Sequence, residues 1–290
     1  MFVAAGLLFN GTIRAAGGLG SLNLLRTQPE MAELFSWNAA IPFPVLIGII
    51  VAGTMKFMVE PRQLSRFYAL KDERATRRGM WVSTLAFLVV YSLLVPIGIF
   101  ARNIFPTGME DTDRIVPALI TNGDLFPPAV AAFLLVAMVA AALSSLDSVL
   151  LVTASTCERD MINLWREKMS ESASLRATRI YVVLFAFITA LVALDPPGGI
   201  VTLTAFSGTL YAACFFPAIV LGLHWSRGNG RAVIASFVSG IGTLLLWEYL
   251  PFAADIHQVF PALLLSSLAY IIVSFCSPIH GAEEVQRLFA

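Results

Sequence analysis

Charge is scarce in this sequence. Asp, Glu, Lys and Arg make up only 13% of its 290 residues, where soluble domains carry about 25%. Acidic and basic residues cancel, so the basic footprint of a nucleic-acid binder is absent. Cysteine is equally sparse. Cys157, Cys214 and Cys276 are far apart, odd in number and share no paired spacing with His224, His257 and His280. That excludes a disulfide framework and a zinc site of the usual spacing. No polar or Pro/Gly/Ser-rich stretch is long enough to separate two domains, which predicts a single domain over 1–290. The opening "MFVAAGLLFNGTIR" has no basic residues ahead of its apolar part, unlike a cleaved signal peptide.

What the chain does have is apolar residues, at 58%, with a mean hydropathy of +0.79. The excess is spread along the whole length. A membrane helix needs about 20 mainly apolar residues. Seven complete candidates fit, at about 42–60, 80–101, 126–156, 178–195, 198–224, 231–250 and 258–277, preceded by a shorter piece at 1–13. Shorter, alternating strands of a barrel are not seen. The expectation is an all-α polytopic membrane protein forming one transmembrane domain. The piece at 1–13 then reads as the tail of a helix cut off at its start.

The basic residues sort by loop. "EPRQLSRFYALKDERATRR", Cys157–Arg179, the Arg227–Arg231 loop and the tail with Arg287 hold fourteen of the nineteen Lys and Arg residues. All four segments fall on one side if every span crosses. The positive-inside rule then predicts a cytoplasmic C-terminus. "DERATRRG" and "CERDMINLWREK" mix charges at helical spacing and read as short surface helices.

One segment stands out. Nothing charged lies between Asp124 and Asp147, yet "VAAALSSLDSVLLVTASTCERD" (139–160) sets Ser144, Ser145, Asp147 and Ser148 inside an apolar run. On a helix, Ala141, Ser144, Ser145 and Ser148 share one face. Pro127 and Pro128 suit its first turn. Small and hydroxyl residues mediate helix packing in membranes. The same slim face can offer two hydroxyls and the Ala141 carbonyl to a sodium ion, which prefers hard oxygen ligands. Both readings stay open on spacing alone. Asp147 adds weight to the second, because an ionisable residue in a span is costly and usually faces protein or a water path. Solvation at the end of a tilted helix is its bland alternative.

"AAALSSLDSVLLVTASTCERDMIN" resembles the sodium:solute symporter family, whose members carry proline, sugars, pantothenate and monocarboxylates. There a small-residue, Ser-Ser/Thr helix end runs into an "RD" and an aliphatic pair, here Arg159 to Ile162. "VEPRQLSRFYALKDERATRRG" is similar to the family's segment before "RF-x-A-x-KD", with Glu60 where many members have Gln. "GLHWSRGNGRAVIAS" is a weaker match to "GL-x-W-x-R". The resemblance implies a leucine-transporter-like fold of two inverted five-helix repeats with sites at the bilayer midplane. Here it covers mostly the second repeat plus peripheral helices.

By the same resemblance Ala141, Ser144 and Ser145 are sodium ligands, and Asp147 and Ser148 lie near a further sodium. The other ligands belong to the first repeat, so a missing N-terminal half of the carrier is expected. The implied activity is sodium-coupled symport of a small organic solute by alternating access, in the plasma (inner) membrane, with sodium as coupling ion and no covalent cofactor. Proton coupling through Asp147 and a transporter-like sensor domain are the alternatives. No intramembrane enzyme is indicated: there is no His/Glu metal motif, facing Ser–Lys or Asp–Asp pair, or nucleotide motif. "AAGGLGSLN" lacks the lysine of a phosphate loop and reads as an external turn.

The substrate side falls in "PFPVLIGIIVAGTMKFMVEP", with Gly48, Gly53, Thr54 and Lys56 before Pro61. Such interruptions point to a broken helix near a binding site. Aligned on Arg66, Gly53 and Lys56 fall near the family's substrate cavity, where the lysine would pair with a carboxylate. Alternatively Lys56 snorkels to the membrane surface. Phe57, Phe206 and Tyr211 read as packing rather than gates.

Overall fold

The computed structural model describes residues 1–27, 42–68, 70–105, 109, 111–162, 170–247, 249–251 and 255–277. Among them there is no strand. The α-helices are α1 (Phe2–Ala15), α2 (Ser21–Thr27), α3 (Phe43–Val59), α4 (Pro61–Tyr68), α5 (Glu73–Ile104), α6 (Ile115–Thr121), α7 (Pro128–Thr156), α8 (Glu171–Leu194), α9 (Ile200–His224), α10 (Gly230–Trp247) and α11 (Val259–Cys276). A 3₁₀ turn, Thr112–Arg114, leads into α6, and a π-helical turn, Cys157–Ile162, prolongs α7.

Among the described residues six helices are long and apolar enough to cross a bilayer: α5, α7 with its extension, α8, α9, α10 and α11. The protein is therefore an all-α polytopic membrane protein. The stretch 42–60 forms the 17-residue α3. At 1.5 Å per residue that is about 25 Å, short of a hydrocarbon layer of about 30 Å. Pro61 sets the limit, because the residue before a proline is pushed out of helical geometry. Glu60 accordingly sits at φ −64°, ψ 121°. The chain restarts as α4 with Pro61 in first position, where no N–H is needed.

Two stretches differ from the sequence reading in extent. "DERATRRG" is not a separate surface helix but the first turns of α5. Asp72 caps it by accepting from the Ala75 N–H at 2.6 Å, and the helix runs on through Gly79 into the apolar part. "CERDMI" continues α7 as the π turn, and the remainder of that segment lies outside the described residues. The apolar piece at 1–13 runs on to Ala15 as α1 and stops at Gly17 and Gly18, whose φ values of +93° and +85° suit glycine alone. The expected turn is there, and α2 follows it directly.

The chain divides into two compact units. The first contains α1, α2, α5, α6, α7 and α8. Its core joins Leu8 of α1, Ile97 and Ala101 of α5, Leu119 and Ile120 of α6, Phe126 just ahead of α7, and Leu134 of α7. Gly11 makes room for the Phe126 ring, which a Cβ at that position would strike.

The second unit contains α3, α4, α9, α10 and α11. Small residues repeat every four positions along α10 (Ala232, Ser236, Gly240), and all three are buried. Ala262, Ser266, Tyr270 and Ser274 make a matching buried stripe on α11. Residues four apart share a helix face, and small side chains let membrane helices approach closely. Gly240 sits against the backbone of Ala213 on α9, and Gly208 of α9 against Ala52 of α3.

The α10–α11 connection is tied at both ends. The Trp247 indole N–H donates to the Ile256 carbonyl at 3.1 Å. The buried His257 accepts the Val259 N–H through Nδ1 at 3.2 Å. His257 also covers Gly48 of α3, where a Cβ would collide with it. Burial pushes the His257 pKa below its usual 6.5, which keeps the ring neutral and its acceptor available. That contribution is complete above the unfolded value and weakens as pH falls below it.

Candidate functional site

The expected cation residues all lie on α7, in the first unit. After Pro127 and Pro128 no further proline or glycine interrupts this helix, so the serine face is continuous. Ala141 and Ser148 are half-buried, and Ser144, Ser145 and Asp147 are exposed. The Ser148 hydroxyl donates back to the Ser144 carbonyl at 3.0 Å. It keeps its lone pairs but spends its proton locally. Among the described residues neither the Ser144 nor the Ser145 hydroxyl has a partner. The helix is regular through Ala141, so its carbonyl already accepts within the helix and has only its second lone pair to offer. Two hydroxyls and a carbonyl edge of this kind can give a cation part of an oxygen shell.

Ala141 also lines an apolar cavity of about 500 Å³ within the first unit, with Leu8, Leu94, Ile120, Leu134 and Met138 among its walls. Its lining offers space but little chemistry.

Two further features escaped the sequence reading. Glu158 is only 2% exposed inside the π turn that follows α7. Such turns are rare and often sit at functional sites. The acid directly ahead of Arg159-Asp160 was the available signal. Ser207 is the other, on α9 in the second unit.

Gly53 and Lys56 lie on α3, also in the second unit, three residues apart and thus on neighbouring parts of one face. The space beside Gly53 is open. The Lys56 ammonium donates to the Ser207 Oγ at 3.0 Å. It also stands 5.7 Å from the centre of the Tyr211 ring, within the range of a cation–π attraction. Ser207 and Tyr211 are four apart and present one face of α9. Four residues on, the α3 helix ends at Glu60, which is buried and pairs with Arg62 at 3.1 Å. Lys56 makes no ion pair among the described residues. The cluster Lys56, Glu60 and Arg62 therefore keeps one unneutralised positive charge.

Comparison with known proteins agrees with this architecture. The model of the sodium:solute symporter family matches residues 1–240. The osmoregulated proline transporter OpuE of Bacillus subtilis is 30% identical over 268 residues, covering 90% of this chain and 53% of the transporter. The sodium/pantothenate symporter of Haemophilus influenzae is 25% identical, covering 92% of this chain and 55% of its own. That of Escherichia coli is 27% identical, covering 94% and 57%. The chain spans about half the length of the curated relatives it matches. A family match over most of its residues, joined to the helical membrane architecture, makes this chain a member of the sodium:solute symporter family.

Proposed function

We propose that the chain forms the second-repeat part of a leucine-transporter-like carrier that couples sodium to the uptake of a small organic solute by alternating access. The 1–290 segment acts as one transmembrane domain in the plasma membrane, with its C-terminus cytoplasmic. Sodium is held by the Ser144 and Ser145 hydroxyls and the Ala141 carbonyl, with Asp147 and Ser148 near a further cation. First-repeat residues complete the shell. The carrying observation is the pair of unpartnered hydroxyls, Ser144 and Ser145, within the apolar run of α7. Lipid cannot satisfy such a pair, whereas an ion between helices can. The relatives named as sodium symporters support the choice of ion. On the substrate side, the positive charge left at Lys56 favours a solute with a carboxylate, held beside the open space at Gly53.

The test is sodium dependence in the complete carrier. Ser144→Ala and Ser145→Ala each remove one oxygen and keep the slim face. A neutral interaction of about 1 kcal/mol corresponds to roughly a fivefold rise in the sodium concentration for half-maximal uptake, with normal expression. Ser155→Ala is the control, since that hydroxyl already donates to the Val152 carbonyl at 3.0 Å. Unchanged sodium dependence in both variants would make the serines packing residues.

A further inference from the structure

The α9–α10 corner, "HWSRGNGR", takes no part in the proposed transport site, yet it is built with care. Trp225 packs edge-on against Phe275 of α11 with ring centres 5.3 Å apart, and lies 6.3 Å from Tyr270. The Arg227 guanidinium sits over the Phe275 ring, 5.0 Å from its centre. Its Nε is sealed from solvent and has no hydrogen-bond acceptor. Gly228 fits only because it has no Cβ, which would strike the Tyr270 hydroxyl. Asn229 fixes the turn, accepting the Ala232 N–H at 3.0 Å. Arg231 is exposed just beyond, with no ion pair among the described residues.

The corner thus carries two cations four positions apart, Arg227 held on the Phe275 ring and Arg231 exposed, and among the described residues α9, α10 and α11 contain no Asp or Glu to neutralise them. Both α9 and α11 end here, which puts the guanidinium groups at the level of lipid headgroups. Tryptophan is at home at that level. A guanidinium stacked on an aromatic ring presents its outer edge as a fixed fork, suited to bidentate contact with phosphate oxygens. Basic pockets between membrane helices bind anionic headgroups by the same physics.

We infer that Arg227 and Arg231 form a binding site for the phosphate headgroup of an anionic phospholipid, with Trp225 and Phe275 as its apolar wall. The site is independent of the transport reading. The experiment reconstitutes the full chain from equimolar phosphatidylglycerol and phosphatidylcholine and measures the lipids retained, by native mass spectrometry. Phosphatidylglycerol should be enriched. Arg231→Gln should cut the enrichment about fivefold, the effect of one charge at an anionic surface. Arg227→Gln with Arg231→Gln should abolish it, and Arg227→Lys should restore only part. Arg231 is exposed, so its variant reads the site even where Arg227 variants fold poorly. Arg74→Gln, at the exposed start of α5, should leave enrichment unchanged. Excess inorganic phosphate should not displace the lipid. Undiminished enrichment in the double variant, an equal loss in Arg74→Gln, or displacement by inorganic phosphate would each overturn the assignment.

Discussion

A lysine ammonium inside an apolar helix needs oxygen or a π face, and Lys56 has found both on α9. This bears on the proposed carboxylate contact. The Ser207 hydroxyl is a weak, neutral partner, and a carboxylate would displace it readily because charge-assisted bonds are about twice as strong. Lys56→Gln in the complete carrier should therefore weaken affinity for a carboxylate solute at least tenfold and leave sodium binding nearly unchanged. Ser207→Ala should leave solute affinity the same or raise it. Competition between candidate solutes in uptake assays checks both, and unchanged affinity in Lys56→Gln would favour the snorkelling lysine. The charge at Lys56 was conspicuous in the sequence. Its partners were not, because Ser207 is 151 positions away and one serine in an apolar run has no spacing to betray it. The α7 serines, by contrast, advertise their shared face through local periodicity alone.

At the scale of elements, apolar length located the spans, and backbone chemistry decided where they stop. Pro61 cuts α3 short, the glycine pair ends α1, and Asp72 starts α5 earlier than its apolar part suggests. None of these ends is visible to a hydropathy average, though each follows from the residue once its neighbours are known. What hydropathy could not show is which faces touch. The contact of Gly240 with the Ala213 carbonyl is one such case, where an added Cβ would come within 3.1 Å of the oxygen. Gly242, in the same helix, has nothing within 4 Å. Gly240→Ala should lower stability by about 1–3 kcal/mol through overpacking. Gly242→Ala should hold it or raise it slightly, since alanine is the better helix former. Thermal unfolding of the two variants in detergent separates them, and equal shifts would remove the close crossing of α9 and α10 as a constraint.

For the whole molecule, the charge split between loops predicts a topology. Position 71 should lie in the cytoplasm, and positions 111 and 255 outside. Single cysteines placed there in a cysteine-free background should label accordingly with an impermeant reagent. Labelling from outside at 71 with protection at 111 would invert the orientation. The loop tie between α10 and α11 has a consequence for biosynthesis. The Trp247 bond and the His257 cap lie at the connection itself, joining residues close in sequence. Both ties are thus available as soon as the second helix has emerged from the ribosome. The pair can leave the translocon as a preassembled hairpin, so that docking onto α9 becomes a late step between finished pieces rather than a search by single helices.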